Sequence, residues 1–283
     1  MAHDLILHEA IVAVRDSLGA ELDAIRVSRA VVGLYFTGVS LDCGTAGACH
    51  TPAKTAVHEA CCPMGEQVMP FPGTLRGRPA SDLLEYALSP NLLARAVGIA
   101  TLNALAEVLW QRRPHPGVDL RVNVDGFDAA AIQPEEQVVL VGAFIPFLRA
   151  LKQKRQPYTV LELSTAMLKP EEMPHYRPAA DAADVIPGGD VVLLTGSTLL
   201  TNTLDDLLRM CRPDARVVVV GPTVGLLPEP LLRRGVDVIG GIRVTAPETF
   251  LDVLAEGGSG AHFFGRSADR VVLARRGPKP ALA

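Results

Sequence analysis

The residues with the richest ligand chemistry lie close together, between Leu41 and Pro63. Four of the five cysteines are here, Cys43, Cys49, Cys61 and Cys62, together with His50 and His58. Thiolate and imidazole are ligands for zinc, copper(I) and the iron of iron–sulfur clusters. The spacing is not the paired C-x2-C of a structural zinc knuckle, so a metal here would sit in a pattern of its own. A helix beginning near Val57 would put His58 and Cys61 on one face, with Cys62 on the same side. The small residues Gly44, Thr45, Ala46, Gly47 and Ala48 let a backbone fold tightly. Two other readings stand beside the metal. Free cysteine is among the most buried residue types and packs as a small hydrophobe. A redox pair is the other, Cys61 with Cys62 or Cys43 with Cys49.

A second set of residues suits an organic or anionic ligand. Gly142 follows the apolar run Val138–Val141, and Glu162 falls 20 positions later at the end of the next such run. An acidic ribose ligand stands at about that distance in a dinucleotide fold. Phe144 and Phe147 take the places of the other glycines, however, and Pro146 removes an amide donor, so NAD is not expected. The segment Thr195-Gly196-Ser197-Thr198 leading to Asn202 offers hydroxyls and amides ahead of a helix. It reads equally as an N-cap network, with Thr201 or Asn202 as the cap. Gly221-Pro222-Thr223 is a third strand-end turn. Asn103 is an amide in an apolar helix, either a satisfied core group or part of a site. No serine–histidine–acid order or paired carboxylates are visible, so no reaction is named.

Composition bounds these readings. With 48% apolar and 20% charged residues in 283, the chain can bury a large core. A net charge of −4 gives no basic field for nucleic acid. Runs such as Val217–Val220 are far shorter than a membrane span. The N-terminus lacks the basic start and long apolar run of a signal peptide. These features place the chain in the cytoplasm, where clustered cysteines bind metals or do redox chemistry rather than form structural disulfides. The expected partner is a metal ion or a small molecule, with no membrane. Homo-oligomer formation is left open.

The elements that must position these groups are legible from periodicity. Leu5–Leu18 has a helical apolar period that Gly19 ends. Strands are expected near Ile25–Ser28 and Ala30–Thr37, running into the cysteine loop. Ser81 reads as the cap of a short helix, and 91–110 as a long apolar one. Arg112 to Gly117 is the linker. Beyond it, apolar strands at 138–141, 158–163, 190–195, 216–220 and 236–241 alternate with helices, which signals a parallel sheet covered on both faces. The expected division is an α+β domain over 1–115, carrying the cysteine loop, and an α/β domain over 116–283.

Five segments in order carry a resemblance: Val97–Leu105, Val139–Pro146, Leu193–Leu204, Val218–Thr223 and Gly235–Gly241. Together they resemble a bacterial and archaeal family of unknown function described as a heavy-metal chelation domain. The resemblance implies an enolase N-terminal-like α+β domain followed by a Rossmann-like domain, with a site in the cleft between them. By position it implies Asn103, the Gly142–Pro146 turn with Phe144, Glu162, the turn at Thr195 with Gly196, Ser197, Thr198 and Asn202, and Gly221-Pro222-Thr223. The expected function is heavy-metal binding in that cleft with donors from the 43–62 loop. The alternative is an enzyme acting on a small anionic or nucleotide-like ligand held by the strand-end turns.

Overall fold

The structure, a computed structural model, describes residues 4–52, 69, 72–225 and 227–280. Helix α1 (Leu5–Leu18) buries Leu7, Ile11, Val14 and Leu18 along one face and ends where Gly19 adopts a positive φ of 52°. Strands β1 (Val27–Val32), β2 (Phe36–Leu41) and β3 (Ala46–His50) form an antiparallel sheet in that order. The expectation of strands near Ile25–Ser28 and Ala30–Thr37 is corrected here. The chain reverses at Gly33, where a Cβ would lie 2.3 Å from the Leu254 carbonyl oxygen, so only glycine fits. Five residues of the expected cysteine loop, Ala46–His50, are strand β3.

Helix α2 (Ala80–Leu84) follows Pro79 rather than a Ser81 cap and continues as a 3-10 turn over Glu85–Leu88. Helix α3 (Leu92–Arg112) is capped by Asn91, whose side-chain oxygen accepts the Leu93 and Ala94 amides at 3.0 and 2.9 Å. Its small residues permit very close packing. A Cβ on Gly98 would lie 1.9 Å from the Ala87 nitrogen, and one on Gly47 of β3 would lie 2.3 Å from the Ala100 oxygen. Among the described residues, α3 alone is long and apolar enough to cross a membrane, yet 83% of its apolar window is buried inside the protein. That is the burial of a central core helix.

The rest of the chain builds a sheet of eight strands. In chain order come β4 (Val118–Val122), α4 (Gly126–Ala129), β5 (Val138–Val141), α5 (Ile145–Gln153), β6 (Tyr158–Glu162), β7 (Tyr176–Pro178), α6 (Ala182–Val185) and β8 (Val191–Thr195). Then follow α7 (Ser197–Leu200), α8 (Leu204–Arg209), β9 (Arg216–Val220), α9 (Glu229–Arg233), β10 (Val238–Val244), α10 (Pro247–Ala255), α11 (Gly260–Phe263) and β11 (Ala268–Arg275). The spatial order is β4-β11-β10-β9-β8-β5-β6-β7. All pairs from β10 to β7 are parallel, and β11 is antiparallel to both of its neighbours. The six parallel strands therefore run 3-2-1-4-5-6, the order of a doubly wound dinucleotide fold. The order reverses between β5 and β8.

Side chains alternate across this sheet, as strand geometry requires. Val139, Val141, Val192, Leu194, Val217 and Val219 face α1 and α3, in a core that also holds Val39, Leu41 and Cys49 of the small sheet. Val138, Leu140, Val191, Leu193, Val218 and Val220 face the other way, onto Phe147, Leu148 and Leu151 of α5. Helix α10 covers the far side of the small sheet, where Leu251 lies 2.6 Å from the Cβ position of Gly38.

Candidate functional site

A cavity of about 420 Å³ opens at the reversal of strand order, outside the carboxyl ends of β5, β6 and β8. Ligands of open α/β sheets bind at this place. Its walls come from three strand ends. The first is the β5–α5 turn. Gly142 has φ 94°, and a Cβ there would lie 2.8 Å from Thr195 Cγ2, so the turn needs glycine. The Gly142 amide donates to the Leu161 carbonyl at 2.9 Å, which holds the turn against β6. Phe144 follows at the entrance to α5 and stacks on Phe147 with ring centroids 5.1 Å apart. Pro146 occupies the first turn of that helix.

The second wall is Glu162, the last residue of β6. One carboxylate oxygen accepts the Ala143 amide at 2.7 Å and the other accepts the Leu163 amide at 2.8 Å. The carboxylate thus caps an amide of the turn where a dinucleotide fold would present donors to a pyrophosphate. The third wall is the end of β8. Thr195 and Ser197 share a hydroxyl bond of 2.9 Å, and the Thr198 hydroxyl donates to the Thr195 carbonyl at 2.6 Å. Thr201 and Thr203 add a further hydroxyl pair 3.1 Å apart. The helix after this turn begins beyond Thr203, which makes no side-chain cap bond, so the expected cap at Thr201 or Asn202 is not formed.

Six of the residues picked out from the sequence therefore line one cavity: Gly142, Phe144, Glu162, Thr195, Ser197 and Thr198. Thr201 and Thr203, from the hydroxyl-rich run that begins at Thr195, line it too, whereas sequence reasoning missed Leu163, Ala179, Ala182 and Leu207. Ala179 and Ala182 come from the crossover after β7, and only the strand order brings them here. Asn202, in the left-handed region at φ 57°, faces a separate small recess beside Asp4 and Leu5.

Asn103 and the β9 turn form a different group, a seam between the two sheets. The Asn103 side-chain amide donates to the Ala48 carbonyl at 2.8 Å, to Thr223 at 3.1 Å and to Pro222 at 3.4 Å. Thr223 is buried, and its hydroxyl oxygen accepts the His50 amide at 2.9 Å. Gly221 has φ 131° and closes the turn through its amide, which donates to Gly240. Gly196 lies under the same turn, where a Cβ would meet Val224 at 2.4 Å.

The cysteines do not converge among the described residues. Cys43 is exposed in the β2–β3 turn, while Cys49 is fully buried on the inner face of β3. The three strand steps from Ala46 to Cys49 alone span about 10 Å. Both thiols are free, which corrects the Cys43–Cys49 disulfide alternative. Burial pushes the Cys49 thiol up to about 12, against a Thr223 hydrogen bond and the nearby Arg95 charge, so Cys49 is a neutral thiol. His50 follows Cys49 on the strand and is exposed, because adjacent strand residues point to opposite faces. No group of three His, Cys, Asp or Glu side chains among the described residues is arranged to hold a metal ion. A resident metal does not fit the donors placed here. His58, Cys61 and Cys62, and with them the helix expected from Val57, lie outside the described residues.

A doubly wound sheet with a switch-point cavity, joined to a small antiparallel sheet, defines a Rossmann-like α/β protein. The chain belongs to the DUF364 family, described as "Putative heavy-metal chelation", whose profile matches residues 125–273. A second profile with the same description, DUF4213, matches residues 15–106. An uncharacterized protein of Methanocaldococcus jannaschii is 26% identical over 155 residues, covering 52% of this chain and 54% of the relative. The match thus spans about half the length of that curated relative. Two solved structures of DUF364 proteins of unknown function share the fold. That from Desulfitobacterium hafniense has a TM-score of 0.73 at 20% identity, and that from Pyrococcus horikoshii 0.71 at 19%. Each comparison covers 95% of this chain and 99% of the other.

Proposed function

We propose that this protein binds a small organic molecule in the switch-point cavity. The observation that carries the reading is the convergence of Gly142, Glu162 and Thr195, each at the end of a different strand, on one space of about 420 Å³. That size suits a metabolite-scale ligand. In this reading residues 116–283 supply the binding domain, and the described residues of 1–115 pack against one face of it.

Thermal-shift screening of a metabolite set against wild type and Ser197→Phe tests it. A ligand at a hundred times its Kd adds about 2.7 kcal/mol of stability. The expected result is a Tm rise in wild type that disappears when the phenyl ring fills the cavity. A rise of equal size in both proteins places the ligand elsewhere and overturns the reading.

The family description, together with the exposed free thiol of Cys43, favours a second reading in which the protein handles a thiophilic metal. Zinc, copper or iron would be taken by His58, Cys61 and Cys62 together with either Cys43 or His50, which stand at opposite ends of β3 and do not reach one ion together. Cys49, buried and neutral, is left out of this set. Titration against a chromophoric chelator, with Cys43→Ser and His50→Ala beside wild type, is the test. Thiolate ligation should release protons on binding. Micromolar binding that both substitutions leave unchanged sinks this assignment.

A further inference from the structure

The charge and hydrogen-bonding pattern of the cavity go further than its position. We infer that its ligand is an unphosphorylated nucleoside, held by its ribose diol on Glu162. This rests on the switch-point reading above. Glu162 is the one ionisable side chain among the described residues that line the cavity. Each of its carboxylate oxygens already accepts one main-chain amide, Ala143 at 2.7 Å and Leu163 at 2.8 Å. A carboxylate oxygen has two acceptor positions, so each keeps one for a ligand. Two vicinal hydroxyls match two such positions, and the two amides fix the carboxylate before anything binds.

The same bonds turn phosphate away. The Ala143 amide of the turn is occupied by Glu162, and Pro146 has no amide to offer in the first turn of α5. Phe144, which lines the cavity, stands where the fingerprint of a dinucleotide fold has a glycine. A phosphate near the turn would meet a fixed carboxylate and, among the described residues of the lining, no cation. The ligand's 5′ substituent is therefore neutral or cationic, and the hydroxyls of Thr195 and Ser197 face it. The base has an apolar place as well. Leu163 follows Glu162 directly and is 86% exposed, an unusual position for leucine, and it faces the cavity with Ala179 and Ala182. A purine ring laid there would cover that side chain from water.

Isothermal titration of the intact protein tests the inference with five probes: adenosine, 5′-amino-5′-deoxyadenosine, 2′,3′-dideoxyadenosine, AMP and NAD. The first two should bind. Dideoxyadenosine, lacking the diol, should bind at least about tenfold more weakly, since a site built to pair with hydroxyls rejects the analogue without them. AMP and NAD should be weaker by about tenfold or more through repulsion from Glu162. Leu163→Ala should weaken adenosine, and Glu162→Gln should weaken it while narrowing the gap to AMP. The ligand series is read on wild type, so the outcome does not depend on a variant folding. Equal affinity for AMP and adenosine, or for dideoxyadenosine and adenosine, overturns the assignment. Amide NMR shifts of Gly142, Leu163 and Thr195 with a set of non-nucleoside fragments separate the two levels. Fragments that move these signals when no nucleoside does leave the cavity reading standing and remove the nucleoside. Signals that nothing moves remove both.

Discussion

The amide of His50 donates to the hydroxyl oxygen of Thr223 at 2.9 Å, joining the last residue of β3 to the turn after β9. Asn103 completes the link by donating to carbonyls on both sides, Ala48 and Thr223. Thr223→Val keeps the shape but leaves a buried amide without its acceptor. The expected cost is about 1–3 kcal/mol in urea unfolding. Asn103→Ala should cost at least as much, because it strands three carbonyls. A loss below about 0.5 kcal/mol for both would show that the seam holds the sheets together by packing alone.

Gly142→Ala should be disproportionately harmful for the addition of one methyl group. The residue has φ 94°, and the new methyl would lie 2.8 Å from Thr195. A cost of about 1–3 kcal/mol is expected from the backbone alone. Any ligand affinity of the cavity should fall with it, since the turn and the β8 end must move apart. Stability measured by denaturation and binding measured on the same sample check both parts.

Gly98→Ala reverses the ordinary rule for helices. Alanine is favoured over glycine by about 1 kcal/mol in an exposed helix. Here its methyl would lie 1.9 Å from the main-chain nitrogen of Ala87. Overpacking against backbone costs about 1–3 kcal/mol and sometimes more, so the net change is destabilising. Gly188→Ala, with nothing within 4 Å of its Cβ position, is the control and should change stability by less than about 0.5 kcal/mol.

Thiol labelling should divide the cysteines. At pH 8 an alkylating reagent should modify exposed Cys43 in the native protein and reach Cys49 and Cys211 only after unfolding. Peptide mapping by mass spectrometry reads this directly. The same burial has a pH signature. It pushes Cys49 up to about 12 and Cys211 up to about 11, from an ordinary 9.0. Between pH 9 and 11 the unfolded chain loses these protons while the folded one keeps them, so stability falls as pH rises. The Cys49→Ala, Cys211→Ala double variant should show a shallower alkaline decline. An unchanged slope would assign that decline to other groups.

The parts of the fold legible in the sequence are those with a strong local pattern. The helix over Leu5–Leu18 was set by its apolar period, and the run Val138–Val141 by being apolar throughout, as a strand buried on both faces must be. Strands β4, β7 and β11 escaped. Their sequences mix charged and apolar residues, and β7 is only three residues long. Gly142, Glu162 and Thr195 could be found because each ends a readable strand. Leu163, Ala179 and Ala182 could not, because nothing local says that the segment after β7 folds back beside β6. Cys49 shows the opposite limit. Its residue type suggested a ligand, and only its place on the inner face of β3 shows a packed thiol.

The core that carries Leu7, Val39, Cys49, Ile99, Leu194 and Leu273 in one continuous cluster crosses from the small sheet to the large one. The two sheets thus share one core among the described residues. In the binding reading proposed above, a crevice at the strand ends of such a molecule would select its occupant by fit rather than by closing over it. Heat should take the whole protein apart in a single calorimetric transition.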